Sequence, residues 1–155
     1  MVILGIDPGT ARVGYGVVEI LGNKITHLDS GLIKVSSRGV EALSEIESGI
    51  KELVRRRKPE RVGVEKLFFV KNQKTGIRVA EARGVILNAA LKAGLEIVEL
   101  APTEVKLALT GSGNASKEAV AKMVRYFVRL PDNEVVDDVT DALAIAIAAS
   151  RRNSF

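Results

Sequence analysis

Apolar positions along this chain change their period from one stretch to the next, and each period predicts an element. Residues 2–7, VILGID, are apolar until Asp7 and run into Pro8-Gly9, which predicts a buried strand. VGYGVVEI (13–20) and ITHLDSGLIKV (25–35) predict two further strands, joined by a hairpin turn at Gly22-Asn23. Over 39–57 the spacing lengthens. Val40, Leu43, Ile46, Ile50, Leu53 and Val54 recur at helical intervals, and Pro59 ends the run. RVGVEKL (61–67) predicts a fourth strand. A second helix follows over 75–93, with Ile77, Ala80, Gly84 and Leu87 on one side, and EIVEL (96–100) is a fifth strand. Beyond Pro102 the pattern is helical: a helix over 102–109, a GSGNAS loop (111–116), and a helix over 117–129 that Ser116 can cap. Pro131 breaks the chain before a final helix.

Three strands, helix, strand, helix, strand and then helices describe an α/β fold with a mixed sheet, antiparallel at the start and fed later by crossover helices. The length, 155 residues, fits a single domain over 1–155, and 46% hydrophobic residues supply a core. Charged residues at 27% exclude a disordered tail. Cysteine is absent, which rules out disulfides and thiolate metal sites and suits a reducing cytoplasm. The start, MVILGIDPG, lacks the basic region of a signal peptide. No apolar run reaches the length of a membrane span, so no membrane partner is expected.

Charge changes the picture in two places. Net charge is +4, a weak pointer to a polyanionic partner. KELVRRRKPER (51–61) holds six basic and two acidic residues, and KLFFVKNQKTGIRVAEAR (66–83) holds five and one. Such runs are either solvated faces or surfaces for nucleic acid.

The acids carry the chemistry. Asp7 ends the first strand, where it can cap the Pro8-Gly9 turn, and Glu65 ends the fourth strand. Parallel strands bring their C-terminal ends to one edge. In DDVTDALAIAIAA (137–149) three aspartates precede a segment apolar on nearly every side. Asp138 and Asp141 share a helical stripe with Ile145, so that side faces the core. They can serve as an acidic helix start, but capping leaves Asp7 and Glu65 unexplained. Four converging carboxylates repel and raise one another's pKa, and a divalent cation removes the conflict. Oxygen-only ligation selects Mg²⁺ or Mn²⁺. Two such ions can activate a water and stabilise the leaving oxygen of a phosphodiester.

GIDPGTARVGYGV, VEKLFFVKN, EARGVIL and DDVTDALAIAIA, in that order and at these separations, resemble the RuvC family of bacterial Holliday junction resolvases over nearly the whole chain. The resemblance implies a ribonuclease-H-like fold, a homodimer, and paired cuts in opposing strands of a four-way DNA junction with Mg²⁺ or Mn²⁺. It implies Asp7, Glu65, Asp138 and Asp141 as catalytic and metal-binding acids. The position of Asp138 varies between Asp and His in the family. Phe68 matches an aromatic that works near the junction centre, and Lys106 and Lys117 match lysines implicated in DNA contact and catalysis. Cooperation with the RuvA and RuvB branch-migration proteins is also implied.

The residues fit that resemblance. Phe68 and Phe69, with Lys71 and Lys74 close behind, can stack on an unpaired base while the lysines hold phosphates. In a strand pattern the two rings point opposite ways, Phe68 outward and Phe69 into the core. Two matched cuts call for a C2 dimer, and the Ala80/Gly84 side of the second helix either forms its interface or packs on its own sheet. His27, the only histidine, is expected at the surface without a role. Three other readings compete. An actin-like or sugar-kinase ATPase shares a GIDPGT-like phosphate loop but needs about twice this length. A resolvase-like ribosomal-RNA-processing family is not expected to carry VEKLFFVKN. A DNA-binding module without catalysis needs cations, not four carboxylates.

Overall fold

The computed structural model describes residues 1–9, 11–68, 72–130 and 136–152. Strand β1 (Val2–Asp7) occupies the middle of a five-stranded sheet. β2 (Arg12–Leu21) runs antiparallel to it on one side, and β4 (Arg61–Glu65) runs parallel on the other. β3 (Lys24–Lys34) and β5 (Glu96–Leu100) form the edges, giving the order β3-β2-β1-β4-β5. The hairpin turns at Gly22, whose φ of 58° favours a residue without a Cβ. The expected mixed sheet is therefore present, antiparallel first and parallel after the crossovers.

Helices cover both faces of the sheet. α1 (Val40–Arg57) and α2 (Gln73–Lys92) pack on the side to which Leu4, Ile6, Val13, Val17, Val62 and Val64 point. α3 (Pro102–Thr110), α4 (Lys117–Val128) and α5 (Asp137–Ser150) cover the side of Ile3, Val18 and Leu100. Because β1 is buried from both sides, its sequence shows a continuous apolar run and no alternation. Ser116 caps α4 as expected, its Oγ accepting the Ala119 N–H at 3.2 Å.

α5 lies directly on the sheet. Every residue from Ala142 to Ala149 is buried, because the helix is enclosed by the sheet below and by α3 and α4 above. Its alanines present almost no side chain, and the strands beneath answer with glycine. A Cβ on Gly5 would sit 2.1 Å from the carbonyl oxygen of Ala142, and one on Gly14 would sit 2.2 Å from that of Asp138.

Some expectations need correction. β4 stops at Glu65, so Lys66 and Leu67 lie outside the strand. On α2 the side open to either packing divides: Ile77, Ala80 and Gly84 face away from the core, while Leu87 is partly buried against it. Ile77 is 61% exposed, and a Cβ on Gly84 would meet nothing. The buried side is Ala82, Ile86, Ala89 and Ala90. Both stripes of this helix are apolar, so period alone does not choose between them. Val40, counted in the core stripe of α1, is 77% exposed at the first helical position. His27 reaches the surface but is half-buried there, with its Nε2 2.9 Å from Ser30 Oγ. Val136 stands at the N-cap of α5 and no side chain caps it, so Asp138 and Asp141 do not serve as the cap.

The basic run 51–61 is largely neutralised within the chain. Lys51 pairs with Glu47, Arg55 with Glu52, Arg56 and Arg57 with Asp29, and Arg61 with Glu96, at 2.8–3.0 Å. Among the described residues no helix is long and apolar enough to cross a membrane.

The contact between α5 and β1 leaves no room for one methyl group. Gly5→Ala is expected to lower unfolding stability by about 3 kcal/mol or more, the upper range for overpacking against main chain. Urea denaturation followed by circular dichroism measures this, and an unchanged midpoint would refute the packing argument.

Candidate active site

Parallel pairing of β1 and β4, with Ile6 opposite Val64, brings the C-terminal ends of both strands to one edge of the sheet. Asp7 and Glu65 end those strands. α5 supplies the rest. Gly14 is the strand partner of Asp7, and the main chain of Asp138 rests on Gly14. The first turn of α5 is thereby set beside Asp7, and Asp141 follows one turn later.

These side chains act on one another through burial and charge. Burial, then Asp141, Glu65 and Asp138, push the Asp7 carboxyl up from 3.8 to about 7, with Lys117 pulling weakly the other way. Burial, then Asp141, raise Glu65, opposed by Lys106. Asp141 is raised by burial and by Asp137 and Asp138 against the pull of Lys117. Among the described residues no three of these acids close into a ready-made cation cage. The helix acids lean on cations of the chain instead. Arg12 Nε lies 2.6 Å from Asp138 Oδ2, and Lys117 Nζ lies 3.3 Å from Asp141 and 3.4 Å from Asp137. Burial alone would lower Lys117, but Asp141 and Asp137 raise it overall.

A cavity of about 260 Å³ opens beside the acids, with Glu65, Asp141, Lys106 and Lys117 on its polar wall and Val105, Val120 and Ile145 among its apolar lining. Both lysines expected near the reaction therefore border the same space as two of the acids. Phe68 is 58% exposed three residues beyond Glu65, facing outward as expected. Lys74 is exposed in the first turn of α2 and does not line the cavity. Phe69 and Lys71 lie outside the described residues.

The family model described as crossover junction endodeoxyribonuclease RuvC matches residues 3–149. The chain belongs to the RuvC family. A RuvC of Brachyspira hyodysenteriae is 45% identical over 155 residues, covering 99% of this chain and 96% of the relative. One of Moorella thermoacetica is 47% identical over 149 residues, covering 95% and 89%. The solved structure of T. thermophilus RuvC in complex with Holliday junction substrate superposes with a TM-score of 0.90 at 37% identity, covering 97% of this chain and 93% of that one. The fold is thus the ribonuclease-H-like fold of RuvC.

RuvC-family enzymes are divalent-metal-dependent nucleases, and this donor set fits such an ion. Asp7, Glu65, Asp138 and Asp141 offer only oxygen, the preference of hard cations. The Asp7 carboxyl is raised first by burial and then by Asp141, Glu65 and Asp138, and Lys117 offsets only part of this. Arg12, Asp137 and Arg83 also belong to this region and were not predicted as site residues. Arg12 and Arg83 lie in no periodic pattern, and only the strand register and the packing of α2 bring them in. Asp137 is legible as the first of three aspartates but not as the partner of Lys117.

Asp7 in the folded chain holds its proton up to about pH 7, against 3.8 ordinarily, so metal-free stability falls as pH rises through that window. Asp7→Asn removes the loss. In chelator at pH 8 it is expected to raise stability by on the order of 2 kcal/mol, discounted for partial solvation, and by almost nothing at pH 4. Thermal melts at the two pH values measure the difference. Equal effects at both would show that the Asp7 charge is not in conflict with its neighbours.

Proposed function

We propose that this chain resolves four-way DNA junctions by paired nicks, and that Asp7, Glu65, Asp138 and Asp141 are its catalytic and metal-binding residues. Membership in the RuvC family supplies the reaction class. The single observation that carries the assignment of residues is the Asp7 carboxyl, buried among three other acids at the meeting of β1, β4 and α5. Residues 1–155 act as one nuclease domain in the cytoplasm.

Water attacks the scissile phosphorus and the 3′ oxygen leaves, giving 5′-phosphate and 3′-hydroxyl ends. Mg²⁺ or Mn²⁺, two ions per site, would supply Lewis acidity for that displacement when held by the four acids. Asp7 is fixed by β1 and cannot move away from the reacting phosphate without unpairing a central strand. Lys117 bridges Asp137 and Asp141. It is 57% exposed and free to turn its ammonium to a phosphate oxygen. Lys106 lines the same cavity as Glu65 and limits the charge collected there.

Junction selectivity falls to the loop after β4. An exposed Phe68, with Lys71 and Lys74, suits stacking on an unpaired base flanked by held phosphates. Two matched nicks need two matched sites, and the exposed Ile77, Ala80 and Gly84 of α2, with the partly buried Leu87 beside them, form the stripe on which two copies would meet. The apolar content of that stripe and the empty space over Gly84 support close approach of a second helix. Cooperation with RuvA and RuvB follows from the same family reading.

A synthetic four-way junction and a linear duplex, each with and without Mg²⁺, test the proposal. Wild-type protein is expected to nick the junction alone, symmetrically and only with the ion. Asp7→Asn is expected to bind the junction but cut it at least roughly a hundredfold more slowly, the scale of losing a group that stabilises transition-state charge. Wild-type cutting by that variant would sink the mechanism. Phe68→Ala is expected to slow junction cleavage about tenfold, the loss of one base-stacking contact, with its melting temperature unchanged. A fall in melting temperature with normal cleavage would show that Phe68 is only a packing residue.

A further inference from the structure

Arg83 sits in the EARGVIL stretch (81–87), and no step above uses it. It lies among Ala82 and Ile86 on the sheet side of α2, and its own side chain is only 15% exposed. A guanidinium so placed needs acceptors, and it finds them on two strands. Its Nε donates to the main-chain carbonyl of Glu65 at 2.9 Å, and its Nη2 donates to the Glu99 carboxylate. Glu99 stands on β5 opposite Val64.

Glu65 has few other anchors. β1 pairs with β4 only as far as Val64, so β5 alone flanks Glu65. One residue later the Lys66 N–H donates to the Leu100 carbonyl at 2.8 Å, and the chain then leaves the sheet toward Phe68. Strand ends held from one side fray first. A carboxylate at such an end moves with its main chain, and misplacement by about 1 Å can cost about a hundredfold in rate.

We infer that Arg83 is a positioning residue, which fixes the Glu65 carboxylate by pinning that residue's carbonyl to α2 and, through Glu99, to β5. The inference rests on the reading of Glu65 as an acid of the cutting site. The fork of the guanidinium is what the task requires, since one planar group reaches two acceptors in fixed directions. A lysine ammonium can reach one of them but lacks that geometry.

Arg83→Gln, Arg83→Lys and Glu99→Gln, compared with the wild type, test this by three measurements. These are Mn²⁺ binding to the protein alone by calorimetry, single-turnover cleavage of a synthetic four-way junction at saturating protein, and junction affinity in Ca²⁺. Arg83→Gln is expected to weaken Mn²⁺ binding and slow cleavage by about ten- to a hundredfold each, as loss of an outer-shell partner does, while junction affinity stays within about threefold. Arg83→Lys is expected to recover part of both. Glu99→Gln, which keeps the bond to Glu65, is expected to lose less of both than Arg83→Gln at the same drop in melting temperature. Unchanged Mn²⁺ affinity in Arg83→Gln would overturn the inference and leave a structural ion pair. So would losses in all three variants that simply track melting temperature. A wild type that binds Mn²⁺ but leaves the junction whole would sink the reading of the reaction, while the Mn²⁺ titrations would still decide the role of Arg83.

Discussion

The site depends on a helix lying against bare strand backbone. Two acids sit on strands and two on α5, so they meet only if α5 approaches the sheet at main-chain distance. Gly5 and Gly14 permit that approach, and the alanine-rich underside of α5 completes it. A larger residue at either glycine would lift the helix and carry Asp138 and Asp141 away from Asp7. The packing that builds the core on this face of the sheet therefore also sets the spacing of the carboxylates.

That arrangement runs against the electrostatic preference of the chain. A carboxyl buried among three others is raised to about 7, and burial of like charge is tolerated only because the surrounding core over-determines the geometry. The chain limits the conflict with its own cations, Arg12 on Asp138 and Lys117 on Asp141. Elsewhere one dense group of charges is largely paired. The dense basic run 51–61 is taken up by Asp29, Glu47, Glu52 and Glu96. In the 66–83 run Arg83 is paired with Glu99, whereas the exposed Lys74 is in no ion pair among the described residues, which leaves its positive charge available to a polyanion.

Much of this was legible in the sequence, for identifiable reasons. β1 and α5 announce themselves because elements buried all round have no polar face to confuse the reading. The acids were legible because charge next to such segments has no cheap structural explanation. The facing of α2 was not legible, since Ile77, Ala80 and Leu87 on one side and Ala82, Ile86 and Ala89 on the other give the helix two apolar stripes. Nor could charge density separate the basic run 51–61 from the one around Phe68, because the pairing of Arg56 and Arg57 with Asp29 spans a turn of the fold. The roles of Arg12 and Arg83 arise from strand register and helix placement, which composition and period do not encode.

The position of α5 in the chain order has a temporal consequence. β1 and β4 emerge early from the ribosome, while the helix that brings Asp138 and Asp141 is made last among the described elements. A nascent chain halted before residue 137 holds Asp7 and Glu65 without their counterparts. Ribosome-bound or prematurely terminated fragments that stop before α5 therefore fold, if at all, with the strand acids alone and without the helix acids that would crowd them.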